Sequence, residues 1–104
     1  MIQRLADQLE KESRDLRVLG AVIEHQPIGI VRLSDETGIP EHKVRYSLRM
    51  LENDGLVEAT QQGAVPGEDI GSRVAELNAG LDDLIERLEA LVQDAPEPED
   101  VAAG

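Results

Sequence analysis

Three of the ten basic residues, Lys43, Arg45 and Arg49, fall within seven positions of one another. The chain's only aromatic residue, Tyr46, lies among them, and His42 directly precedes them. Guanidinium and ammonium groups pair with phosphate oxygens, and a bidentate arginine matches the O6 and N7 edge of guanine. A tyrosine can pack its ring on a thymine methyl or a sugar while its hydroxyl reaches a phosphate. These residue types at this spacing therefore suit a surface that touches nucleic acid. On a helix turning about 100° per residue, Val44, Leu48 and Leu51 fall within an arc of about 60° and form a buried face, with Ser47 at its edge. His42, Tyr46, Arg49 and Asn53 lie on the opposite side, flanked by Arg45 and Lys43. The same pattern also suits an ordinary surface helix. Arg45 could pair with Glu41 and Arg49 with Glu52 as helix-surface ion pairs, and Tyr46 could lie back against the domain.

Catalytic chemistry has no comparable footing. The two histidines, His25 and His42, belong to different elements and lack metal-ligand spacing. There is no cysteine, which excludes disulfides, thiolate zinc sites and cysteine nucleophiles. Carboxylate pairs such as Asp82-Asp83 lie on a solvated helix face, and no Gly-rich phosphate loop is present. No catalytic residue, metal ligand or cofactor is expected, and His25 reads as a helix C-terminal residue facing the dipole.

The elements that must hold the basic cluster follow from pattern. Residues 2–26 read as helical, with an apolar stripe at Ile2, Leu5 and Leu9 and another at Leu16, Leu19, Val22 and Ile23. Ser13 is a plausible N-cap inside this stretch, so either one bent helix or two successive helices would fit. Pro27 ends it. A second helix runs from about Ile30 to Thr37 with Gly38 closing it, and a third from Pro40 to Asn53, with proline in the first turn. Leu56–Ala59 and Ala64-Val65 are short strands joined through Thr60-Gln61-Gln62-Gly63. Helix, tight turn, helix and hairpin, in that order, make a helix-turn-helix followed by a wing.

In a winged helix the third helix enters the major groove with its N-terminal residues nearest the base edges. Arg45 and Arg49 would then meet guanine or phosphate, and His42 and Lys43 phosphate or bases. Arg32 is a further phosphate candidate. Gln61 and Gln62 at the wing tip could reach the minor groove. The run TGIPEHKVRYSLRMLENDGLVEATQQGAV resembles archaeal, especially haloarchaeal, winged helix-turn-helix transcriptional regulators. The shared pattern is a glycine turn and a helix ending L-x-x-L-E-x-x-G-L-[IV], here Leu48, Leu51, Glu52, Gly55, Leu56 and Val57. The resemblance covers about residues 14–67 and implies a recognition-helix role for His42, Lys43, Arg45, Tyr46 and Arg49. The chain departs from many DNA-binding winged helices in having no Arg or Lys at the wing tip.

From Glu68 to Gln93 the pattern changes. Ile70, Val74, Leu77, Leu81, Leu84, Leu88 and Leu91 alternate at spacings of four and three, a heptad seam. Ile85 and Val92 widen it, and Glu68 and Asp69 stand at its start, where negative charge suits the helix dipole. Such a seam invites a homodimer, though it could also fold back on Ile2, Leu5 and Leu9. A two-fold dimer would present two recognition helices about one turn of DNA apart and predicts a palindromic site of roughly 15–25 base pairs. The organisation expected is mainly α with a small β-hairpin: an N-terminal helical extension over residues 1–12, a winged helix-turn-helix domain over 13–67, a C-terminal heptad helix over 68–93 and an acidic disordered tail over 94–104.

The formal net charge of −12 opposes DNA binding in sum, but its distribution does not. Residues 13–66 carry six basic and eight acidic groups, whereas residues 67–104 carry two basic and eleven acidic ones. Lysine occurs only at positions 11 and 43, against eight arginines. Abundant Asp and Glu with little Lys match a salt-in halophile, and an ordinary acidic bacterial protein is the other reading. No apolar run approaches the ~20 residues of a membrane span and no signal-peptide layout opens the chain, so a cytoplasmic protein is expected. The rival to a DNA-binding regulator is a winged helix used for protein interaction, to which the acidic balance would bring a basic partner. A small-molecule-sensing repressor is a third possibility, for which no residue argues.

Overall fold

The structure is a computed structural model and describes residues 1–94. Its elements are α1 (Ile2–His25), α2 (Ile30–Thr37), α3 (Glu41–Asn53), β1 (Val57–Thr60), β2 (Gly63–Pro66) and α4 (Ile70–Asp94). The architecture is a winged helix followed by a long C-terminal helix. Two compact units divide at Ile70 and Gly71.

α1 is one continuous helix. Ser13 is an exposed residue in its interior rather than an N-cap. No Gly or Pro interrupts residues 3–19, and most of the residues there favour a helix. Side-chain bonds one turn apart reinforce the first turns: Gln3 Nε2 donates to Asp7 Oδ1 at 2.9 Å and Gln8 Nε2 to Glu12 Oε1 at 3.0 Å. α2 has the expected bounds. Gly38 closes it in the left-handed conformation at φ 74°, its N–H donating to the Ser34 carbonyl at 2.9 Å. Pro40 is the cap residue of α3.

The core of the first unit comes from every element in it: Val18, Leu19 and Val22 of α1, Leu33 of α2, Val44 and Leu51 of α3, and Val57 and Ala64 of the hairpin. Ile28, Ile39 and Leu56 fill the space from the connections, and Ile70 packs on the margin. The α3 face differs from expectation in one respect. Ser47 is fully buried and Leu48 only half-buried. α1 packs on the Ser47 side and supplies a polar partner there: Ser47 Oγ donates to Asp15 Oδ1 at 2.5 Å and accepts from Arg14 Nε at 3.2 Å.

The hairpin is antiparallel, pairing Val57 with Pro66 and Thr60 with Gly63. The link between α1 and α2 joins it: Ile28 N donates to Ala64 O at 3.1 Å and Ala64 N to Ile28 O at 2.8 Å. Gly63 permits this approach. A Cβ there would lie 2.7 Å from the Ile28 carbonyl carbon, and its φ of 131° suits glycine alone.

In the second unit, residues 71–94 are helical. Glu68 and Asp69 precede α4, whose first turn carries no acidic residue. Of the expected seam, Leu81, Leu84, Leu88 and Leu91 are exposed, and Ile70, Val74 and Leu77 half-buried. Asp94, the first residue of the expected acidic tail, ends α4, and the rest of that tail lies outside the described residues.

Candidate nucleic-acid interface

The α2–α3 turn fixes how α3 is presented. Thr37 Oγ1 donates to the Leu33 carbonyl at 2.6 Å and accepts from Ile39 N at 3.2 Å. Ser34 Oγ donates to the Ile39 carbonyl at 2.6 Å. From α1, Arg17 Nη2 donates to the Thr37 carbonyl at 2.5 Å. These short side chains bond to nearby backbone instead of prolonging the helix. The buried row Val44, Ser47 and Leu51 then anchors α3, and its far side meets solvent.

His42, Lys43, Arg45, Tyr46 and Arg49 are all exposed on that far side. Tyr46 keeps 61% of its surface accessible, so it does not lie against the domain. Among the described residues neither Arg45 nor Arg49 takes part in an ion pair, and the Glu41 and Glu52 pairings do not form. The cationic groups of α3 are therefore available to a ligand. Arg45 and Arg49 line a groove of about 360 Å³ between α3 and the hairpin, together with Glu52, Leu48, Ile30 and Thr60.

The remaining candidates are placed differently. Arg32 is on α2, its Nε 3.9 Å from Glu36 Oε1, and Glu36 Oε2 also lies 3.6 Å from His25 Nε2. Arg32 is thus partly engaged within the domain. Gln61 and Gln62 are exposed at the hairpin tip, whose turn is held by Thr60 Oγ1 donating to the Gly63 carbonyl at 2.6 Å. Among the described residues no group of three His, Cys, Asp or Glu side chains gathers to hold a metal, and no helix is long and apolar enough to cross a membrane.

Sequence reasoning missed three residues. Met50 is exposed on α3 beside Tyr46. Arg14 and Arg17 of α1 line a second groove, of about 250 Å³, with Lys43. Their spacing of three marks a shared helix face, but nothing in the sequence says that this face borders α3.

Residues 11–58 match the family model for winged helix-turn-helix DNA-binding. The matched span runs from the middle of α1 to the second residue of β1, so it contains α2, the turn and all of α3. No curated protein matches the chain.

Proposed function

We propose that this protein is a sequence-specific DNA-binding transcriptional regulator that reads the major groove with α3 and acts as a homodimer. The observation that carries the reading is the outer face of α3: three cations, a histidine and an exposed tyrosine, with no ion pair consuming them among the described residues. The family match over residues 11–58 supports it. His42, Tyr46 and Arg49 occupy the centre of that face and take the base edges, Arg45 and Lys43 its margins. Arg32 and the wing-tip Gln61 and Gln62 contribute contacts to the backbone and minor groove. The dimer rests on α4, where Ile70, Val74, Leu77, Leu81, Leu84, Leu88 and Leu91 repeat as heptads and Leu84, Leu88 and Leu91 remain 51%, 53% and 67% exposed in a single chain. The acidic, lysine-poor composition suits a haloarchaeal, cytoplasmic protein working in concentrated salt, where phosphate attraction weakens and base-edge contacts matter more.

The test is selection of bound sequences from random duplex DNA at low and high salt, with the Arg45→Ala/Arg49→Ala variant alongside. The wild type enriches a palindromic motif and the variant does not. Equal enrichment by both would remove α3 from recognition.

A second reading keeps the fold and replaces DNA with a protein partner. The exposed apolar residues Ile2, Leu5 and Leu9 on α1 favour it, as does the absence of a basic residue at the hairpin tip. Failure of the selection at every salt concentration would favour this reading.

A further inference from the structure

α3 has a groove along the side that faces the hairpin and another at its N-terminal end, against α1. The one beside the hairpin contains Arg45 and Arg49. The one beside α1 is lined by Glu10, Ser13, Arg14, Arg17, Pro40 and Lys43, so that three cations face one carboxylate. That local excess stands out in a chain whose acidic groups outnumber its basic ones 22 to 10.

Arg14 is held in place from within the domain. Its side chain is half-buried, and Nε donates to the Oγ of fully buried Ser47, which in turn donates to the buried Asp15 carboxylate. This arrangement turns Nε inward and leaves both terminal amino groups without a partner among the described residues. Arg17 is steadied by its bond to the Thr37 carbonyl. Lys43 stands in the first turn of α3, in no ion pair among the described residues.

The dimensions of a duplex give this groove its occupant. The major groove is about 12 Å wide and a helix with its side chains about 10–12 Å across. A helix seated there has one sugar–phosphate strand along each side. With Arg45 at the opposite margin facing one strand, we propose that Arg14, Arg17 and Lys43 bind a backbone phosphodiester of the other. α1 then clamps the backbone beside the first turn of α3. The inference rests on the DNA-binding reading above. It assigns Arg14 and Arg17 a positioning role in which contact is made without reading sequence.

The test uses the full chain, a duplex carrying the selected motif and a scrambled duplex, with affinity measured across a salt series. Arg14→Gln and Arg17→Gln each weaken binding equally on both duplexes and reduce the slope of log affinity against log salt by about 1. Both variants retain the preferred motif. Glu10→Gln acts in the opposite direction and tightens binding at low salt. Because Arg14→Gln can also loosen the Ser47 contact, Arg17→Gln and Glu10→Gln, at exposed positions, decide the matter if it melts early. Unchanged slopes in Arg17→Gln and unchanged affinity in Glu10→Gln, with the wild type binding normally, would overturn the clamp and leave the recognition helix standing. A wild type that binds no duplex at any salt fails the DNA reading itself. Inorganic phosphate is titrated without DNA as a separate arm. Saturable shifts of the Arg14 and Arg17 resonances there, with slopes on DNA unaltered, would identify a free-anion site and also overturn the proposal.

Discussion

The hydroxyl of Ser47 bonds to a carboxylate 32 positions away in the chain, on another helix. Both groups are buried, Ser47 completely and Asp15 to all but 8% of its surface. A buried carboxylate that loses its donor bears the cost of its own desolvation, about 1–3 kcal/mol or more for a charged group. Ser47→Ala is therefore expected to lower stability by about that amount in urea unfolding. The double variant Asp15→Ala/Ser47→Ala costs less than the two single changes added together, because removing both partners leaves nothing unsatisfied. A strictly additive cycle would show that the bond contributes nothing. At this scale the sequence was half legible. The outward residues of α3 followed from helical periodicity, since solvent is the default neighbour of any position away from the buried row. Ser47 did not, because a helical wheel gives direction and says nothing of which polar group waits in another helix. Arg14 and Arg17 escaped for the same reason.

Among the elements, the hairpin depends most on a single contact. Its pairing with Ile28 ties the wing to the α1–α2 link, and Gly63 is the residue that allows it. Gly63→Ala places a methyl group against the Ile28 backbone and forces a φ that alanine resists, a strain of roughly 1–3 kcal/mol. The expected result is a winged domain whose three helices persist while the amides of Ile28 and Ala64 exchange faster with solvent; unchanged exchange at both would count against the close approach. Element order and most boundaries were readable from Gly38, Gly55 and Gly63, where glycine accepts the positive φ that a turn needs, and from Pro40, whose ring fixes φ. The unbroken α1 was less so, because a serine that caps helices well is also tolerated inside one. The Ile28–Ala64 bridge left no sequence signal, since two isolated residues carry no periodicity.

For the whole molecule, charge and apolar surface are segregated along the chain. Most of the acidic excess follows the hairpin in the sequence, after the last of the residues proposed to meet DNA. α4 combines that acidity with a row of exposed leucines, and burial of such a row in a second copy is favourable at about 25 cal/mol per Å² of apolar surface. Leu84→Asp/Leu88→Asp is expected to sediment as a monomer at a concentration where the wild type is a dimer. Its winged unit should melt as before, because none of that unit's core comes from α4 beyond Ile70. A wild type already monomeric at micromolar concentration would refute the seam. The heptad spacing was plain in the sequence, whereas the partner of a seam is never written in the seam itself.

Tyr46 has one more consequence. With no Trp or Phe, it is the chain's sole aromatic side chain, and it sits on the outer face of α3. Optically the interior is silent. The protein's intrinsic fluorescence comes from the proposed reading surface alone, so a ligand that covers α3 changes it without a label, while unfolding of the core has to be followed through the backbone.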